Sequence, residues 1–474
     1  MYEATIGLEI HCEIKSKTKN FSGAINKYSL VPNTNISPVD IGYPGIMPVV
    51  NKYATKQALK TALALNCETP KELTFERKNY FYPDLPKGYQ ITQLYNPVGV
   101  NGYMNICIDD KELKILIHDT HLEEDTASLD HFSNYSLLDY NRCGVPLLET
   151  VTEPCMHSSE EAVAFLEAYR NLLLYCDISE ARADRGQIRC DVNVSLAPVN
   201  SNKLGTRVEM KNINSFIKVK NAIECEIKRQ EEILKNGGTI EQETRRYDSE
   251  QDMTFSMRKK VDAIDYKYFT EPNLPPIEIT DEFINEIKSE IPKLQYERLK
   301  TYIDEYKLNK KDANTLARNK DLSDFYEETI KQDTDPIEAS NYITGQILAF
   351  LNKDELSIND IYLKPVMLSE LLKMLKEGKI SSKQVKDILK ISLEEDKNPI
   401  EIIKELNITQ ITDPEEINKI INEVLEENSN ILNDYKAGKN VTGYIIGLVM
   451  KKSNGKVNPK LANTCLNEII KKLS

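Results

Sequence analysis

The chain has 474 residues, 40% hydrophobic and 28% charged, enough for about three domains if a domain takes ~150 residues. Lys and Arg number 61 against 74 Asp and Glu, a formal net charge of −13. That balance excludes bulk attraction to phosphate or anionic lipid and leaves room only for a local basic patch. The first ten residues carry Glu3 and Glu9 and no basic run, so no signal peptide is expected. The longest apolar stretch, about 441–450, is too short for the ~20 residues of a membrane span, so no membrane contact is expected. Nine cysteines include no C-x-x-C pair. They read as reduced thiols of a cytoplasmic protein, without a zinc ribbon.

In chain order, residues 6–14 alternate Ile6, Leu8, Ile10, Cys12 and Ile14 with Glu9, His11 and Glu13, the pattern of a half-buried strand. Residues 77–88 are dense in aromatics and turn formers, and suit either a packed loop or a surface on which a base stacks. His118 and His121 precede Glu123, Glu124 and Asp125, which suggests a surface turn or a loop delivering one carboxylate to a metal. Ser158 starts a capping pattern, and Ala162, Phe165, Leu166, Tyr169, Leu172, Leu173 and Cys176 follow at helical spacing. Residues 188–196 and 206–211 alternate again, and a helix is predicted over 215–236, ended by Gly237-Gly238. The Pro-rich segment 271–276 marks a change, after which nearly everything has helical period. The fold class expected is α+β: an antiparallel sheet packed on helices by one face, followed by all-α domains.

The second face of that sheet carries chemistry. Glu9, Glu13, Asp191 and Glu209 would repel one another on neighbouring strands, and a cation lets them coexist. Carboxylate oxygens favour Mg²⁺ together with phosphate or water. Arg189, Arg207 and Lys211 could neutralise the phosphates. No G-x-x-x-x-G-K-[ST] and no G-x-G-x-x-G is present, so a phosphoryl site without a Walker loop is the expectation.

Co-linear motifs then point to one family. They are Gly7-Leu8-Glu9-Ile10-His11, Arg77-Lys78-Asn79-Tyr80-Phe81-Tyr82-Pro83-Asp84, His121-Leu122-Glu123-Glu124-Asp125 and Asp139-Tyr140-Asn141-Arg142-Cys143-Gly144-Val145-Pro146-Leu147-Leu148-Glu149. They continue with Arg189-Cys190-Asp191-Val192-Asn193, Glu209-Met210-Lys211-Asn212-Ile213-Asn214, Gln242-Glu243-Thr244-Arg245 and Asp265-Tyr266-Lys267-Tyr268-Phe269. The chain resembles the B subunits (GatB) of the tRNA-dependent amidotransferases. The resemblance implies ATP-dependent amidation of mischarged Glu-tRNA(Gln) or Asp-tRNA(Asn) through a phosphorylated side-chain carboxylate. It implies ATP and Mg²⁺; some members carry a zinc-binding cysteine cluster near residues 25–45, a stretch without cysteine here, so no zinc is expected. Its implied partners are an amidase (the A subunit, GatA) that releases ammonia from glutamine, a small C subunit (GatC), and tRNA. It implies a cradle domain over 1–292, a helical domain over 293–405 and a tRNA-binding tail over 406–474. Glu9, His11, Glu124 and Glu209 are the metal and catalytic residues it implies. Lys78, Asn79, Arg189, Asp191, Asn193, Lys211 and Asn214 are the nucleotide and substrate residues. The family usually continues Ala-Gly-Lys after the acidic triplet, where this chain has Thr126-Ala127-Ser128. A tRNA-binding scaffold with impaired chemistry is therefore the alternative reading.

The net charge is unevenly spread. From Lys436 to Ser474 there are eight lysines and one acid, Glu468, so the last 39 residues carry +7 and the rest −20. Lys451, Lys452, Lys456 and Lys460 are the expected phosphate contacts.

Overall fold

A computed structural model describes the chain except residues 109–110, 214, 260–264, 407–410, 412, 429–441, 454–455 and 474. The chain divides into two compact units, Met1–Tyr296 and Glu297–Ser474.

The first unit begins with β1 (Tyr2–Glu13), α1 (Lys52–Ala64), β2 (Glu72–Leu73), β3 (Glu76–Asn79), β4 (Tyr89–Thr92), β5 (Gly99–Ile108) and β6 (Lys111–Glu124). It continues with β7 (Ser128–His131), β8 (Ser136–Asp139), β9 (Pro146–Thr152), α2 (Ser159–Tyr175), β10 (Ile188–Pro198), β11 (Val208–Ile213) and α3 (Phe216–Lys235). It closes with β12 (Glu243–Asp248), β13 (Met253–Lys259), β14 (Phe269–Thr270), β15 (Ile277–Glu278) and α4 (Asp281–Ser289).

Eight of these strands form one sheet, in the order β13-β12-β11-β10-β1-β9-β6-β5. Its pairs are antiparallel except β11 with β12, which run parallel on either side of the crossover helix α3. The strands β14-β3-β4 form a second, smaller sheet, which Gln90 of β4 ties to β6 by donating to the Glu124 carbonyl at 2.8 Å. One face of the large sheet is apolar and packs on the helices. Ile6, Leu8, Ile10 and Cys12 of β1 are buried there with Cys190, Val192 and Val194 of β10 and with Phe165, Leu166 and Tyr169 of α2. This is the face the alternation in the sequence selects.

The helix boundaries follow local chemistry. The Ser158 side chain accepts from the Glu161 amide at 3.1 Å, an N-cap. The reciprocal half differs from the capping box expected: Glu161 accepts from the amide of His157 at 2.7 Å rather than from that of Ser158. Gly237, at φ +73°, terminates α3 as anticipated. The α3 stripe also buries Glu226 and Gln230 completely. Glu226 accepts from Arg229, one helical turn on, at 2.6 Å, and from Thr254 at 2.9 Å, a partner that no helical period announces.

The described part of the second unit is built of helices, from Gln295–Asp304, which begins at the boundary, to Pro459–Leu473. It holds two separate apolar cores, one between Leu299 and Ile403 and one between Ile417 and Leu466. Among the described residues no helix is long and apolar enough to cross a membrane.

Candidate active site

The registers of β1, β9 and β6 build the site. His11 lies opposite Glu149, and Glu149 lies opposite His121, so two imidazoles flank one carboxylate across three strands. On the other side of β1, Arg189 of β10 faces His11, and Asp191 faces Glu9. Residues two apart on a strand share a face. Glu9 therefore joins His11, and Glu123 joins His121, on the side opposite the apolar core. Glu9, His11, Glu123 and Glu149 line a cavity of about 210 Å³, with Lys78, Gln90 and Lys211 on its walls.

The geometry is tight and charged. His11 Nε2 lies 3.2 Å from Glu149, 3.7 Å from Glu9 and 4.0 Å from Glu123. His121 Nε2 lies 3.3 Å from Glu149, and its Nδ1 is held by Asp119 at 2.7 Å. Burial alone would push the His11 imidazole down, but Glu149, Glu123 and Glu9 together raise it to about 9. His121 is raised for the same reason, against its burial. Burial and the neighbouring Glu149 push the Glu9 carboxyl up to about 7. Glu149 itself is held well below the usual carboxylate range because its two histidine partners outweigh its burial.

The cations differ in availability. Arg189 donates to both oxygens of Asp125, at 3.1 and 3.2 Å. Lys211 bridges Asp191 at 2.8 Å and Glu209 at 3.0 Å. Lys78 lines the cavity with no carboxylate within 4 Å of its ammonium among the described residues, although Glu123 and Glu149 hold its pKa up against burial. Of the lining Lys and Arg it is therefore the one left free, among the described residues, for an incoming anion.

Among the described residues two groups could hold a metal: Glu9, His11 and Glu149, and His121, Glu123 and Glu149. Within each group the ligand atoms all lie within 4.8 Å of one another. Two carboxylates with one imidazole suit a divalent cation that accepts both oxygen and nitrogen donors.

The structure places the sequence-derived residues unequally. Glu9, His11, Lys78, Arg189, Asp191 and Lys211 meet at the cavity. Glu124 does not: on β6 it shares the face of buried Leu122, where it forms a buried ion pair with Lys87 and accepts from the Ile91 amide at 2.9 Å. The one-residue step from Glu123 moves it to the other side of the strand. Glu209 lies 3.0 Å from Lys211, which joins it to Asp191, and it accepts from Thr244 at 3.1 Å. Asn79 is turned to the carbonyl of Lys267, at 2.7 Å. Asn193 lies opposite Glu209, one pleat beyond Asp191. Asn214 lies outside the described residues. Arg207 is exposed and precedes the strand, which starts at Val208. The acidic triplet ends a strand of fourteen residues rather than forming a turn. The sequence offers Glu123 only as one of three acids that could reach a metal, and it does not single out Glu149. The available signal was Glu149 as the one charge in the run Pro146–Thr152.

In the tail, Lys451 and Lys456 are exposed. Lys452 is engaged by Glu423 at 3.1 Å and Glu427 at 2.6 Å, so it is not a free phosphate contact as expected. The Lys460 side chain lies outside the described residues.

Two family models match: the GatB/GatE catalytic domain over residues 4–285 and the GatB domain over residues 324–470. The chain is 43% identical to the B subunit of the aspartyl/glutamyl-tRNA(Asn/Gln) amidotransferase of Oceanobacillus iheyensis, over 98% of each chain. It is 43% and 44% identical to proteins of the same name from Halalkalibacterium halodurans and Geobacillus thermodenitrificans, each over 99% of both chains.

Proposed function

The chain belongs to the GatB/GatE family, and from that membership and the cavity we propose that it is the B subunit of a tRNA-dependent amidotransferase. It binds a tRNA mischarged with glutamate or aspartate. The side-chain carboxylate attacks the γ-phosphorus of ATP, ADP leaves, and an acyl phosphate forms. Ammonia then attacks the acyl carbon, phosphate departs, and the amide remains after loss of a proton. The observation that carries this reading is the unpaired Lys78 facing the Glu9, His11 and Glu149 cluster across one small cavity.

The residues divide the labour. Glu9, His11 and Glu149 would hold a divalent cation, Mg²⁺ in this proposal, which when bound neutralises charge on the phosphates. Lys78 binds a phosphate oxygen as a point charge. Arg189 and Lys211 are committed to Asp125, Asp191 and Glu209, so they hold the wall rather than the ligand. His11 gives up its proton when it takes a ligand role.

Ammonia comes from a partner. Burial pushes the Cys12 and Cys143 thiols up to about 12, and Cys190 well up, so none of these is a thiolate nucleophile. An amidase partner, GatA, with the small GatC fills that role, in the reducing cytoplasm that nine free cysteines suit. The scaffold reading has less behind it. Arg142 donates to the carbonyls of Thr126 and Ala127 at 2.9 Å each, and Ala127 is buried, so Thr126-Ala127-Ser128 fits the site wall. Exposed Lys451 and Lys456 contact the tRNA backbone from the tail.

The test is ATP-dependent conversion of Glu-tRNA(Gln) and of Asp-tRNA(Asn) by the heterotrimeric complex, with glutamine or ammonium. Amide product on at least one tRNA is expected. Folded complex that yields none on either tRNA refutes the proposal.

A further inference from the structure

A strap lies beside β3 next to Lys78. The segment Tyr266–Glu271 runs antiparallel to the strand as its edge neighbour and is tied to it on both sides of Lys78. The Asn79 amide donates to the Tyr266 carbonyl at 3.0 Å, and the Asn79 side chain donates to the Lys267 carbonyl at 2.7 Å. Phe269 pairs with Arg77, and Thr270 with Glu76. The Glu271 amide donates to the Phe75 carbonyl at 2.8 Å. Lys267 turns the strap at φ +48°, a left-handed conformation that a side chain adopts only when its surroundings fix it.

The strap ends in a bidentate ion pair. Arg77 donates to Glu271 through Nε at 2.5 Å and Nη2 at 3.0 Å. Glu271 has no exposed surface, and the Asn273 amide and side chain also donate to it, at 3.0 and 2.8 Å. The Arg77 guanidinium lies 4.0 Å from the Tyr89 ring centroid and 5.5 Å from that of Phe269. Alternation turns Arg77 to one side of β3 and Lys78 to the other. On the Lys78 side, Tyr266 sits 5.2 Å from the ammonium, braced edge-on by Tyr80 and Tyr268 at 5.9 and 6.0 Å. The strand itself is fixed to the main sheet through β4, where Gln90 donates to the Glu124 carbonyl at 2.8 Å.

We propose that Arg77 and Glu271 are positioning residues that act through Lys78: their ion pair pins the strap whose Tyr266 ring backs the ammonium, and so fixes where the phosphate is held. The pair touches neither the cavity nor the metal cluster. The inference rests on the reading of Lys78 as a phosphate contact, and the experiment separates the two.

Steady-state kinetics of the heterotrimeric complex are measured for Glu271→Gln, for Lys78→Met and for the two combined, with thermal melts of each. Glu271→Gln should raise KM for ATP about tenfold, leave kcat within twofold, and leave KM for the aminoacyl-tRNA unchanged. In the Lys78→Met background the same change should add less than twofold, because the residue it positions is gone. A merely structural role would instead lower kcat through loss of folded complex at unchanged KM, and that result overturns the proposal. Equal effects of Glu271→Gln with and without Lys78 also overturn it. If Lys78→Met leaves KM for ATP unchanged, the phosphate reading falls and the positioning role with it. If Lys78→Met raises KM and Glu271→Gln does not, the positioning role alone falls. Should Glu271→Gln melt early, the paired change Arg77→Met with Glu271→Met removes both charges together and is read the same way.

Discussion

Replacing Glu149 by Gln removes the charge that His11 and His121 share. A unit charge pair at the 3.2 Å His11–Glu149 distance is worth about 5 kcal/mol at an effective dielectric of 20. Desolvation of the buried imidazole opposes it. The net is visible in His11 itself, raised to about 9 from an ordinary 6.5, which corresponds to about 3 kcal/mol. The attraction therefore wins, and most of it comes from Glu149. The sign follows: His11 binds its proton more tightly folded than unfolded, so the proton stabilises the fold fully below 6.5, and this contribution is lost as pH rises through about 9. In Glu149→Gln the metal-free imidazole should titrate well below 9, and the fall in stability between pH 6.5 and 9 should flatten. The assay is a chelated NMR titration of the histidine ring signals, with urea midpoints at pH 6, 7.5 and 9. A His11 titration that stays near 9 in the variant would refute the reasoning.

Other outcomes follow from the same geometry. Glu124→Gln should leave divalent-cation affinity within twofold, whereas Glu149→Gln should weaken it at least about tenfold in calorimetric titration. Lys87→Met strands buried Glu124 and should cost about 3–5 kcal/mol in urea denaturation. Gly102→Ala places a methyl 2.3 Å from the Cys67 sulfur and 2.7 Å from the Leu65 carbonyl oxygen, and should cost about 2 kcal/mol by the same measure. Lys451→Ala and Lys456→Ala should each lower the salt slope of tRNA binding by about one, and Lys452→Ala by less, since Glu423 and Glu427 already hold it.

Much of the fold was legible because alternation is a local property. Ile6, Leu8, Ile10 and Cys12 mark the core side of β1 without any knowledge of its neighbours, and Glu9 and His11 are then on the site side by geometry alone. The capping serine and the glycine that ends α3 were equally local signals. Pairing was not legible. Nothing in one strand says that His11 will face Glu149, or that Glu149 will also face His121, because those registers join segments more than a hundred and nearly thirty residues apart. For the same reason Glu124 and Glu123 could not be told apart until the phase of β6 was known. Lys87 and Lys452 find carboxylate partners through tertiary contacts that charge counts do not contain. The strap beside β3 depends on Arg77 meeting Glu271 across nearly two hundred residues, and only the fold shows it.

In the proposed chemistry Glu9, His11 and Glu149 hold a divalent cation beside the ATP phosphates. The most direct measurement is pulsed electron paramagnetic resonance of Mn²⁺ bound to the complex with ATP, reading nitrogen and phosphorus couplings together. The account predicts phosphorus coupling with one coordinated imidazole nitrogen, the nitrogen lost in His11→Gln and kept in His121→Gln and Glu124→Gln. Bound Mn²⁺·ATP with no imidazole nitrogen, or a nitrogen signal untouched by His11→Gln, would contradict it.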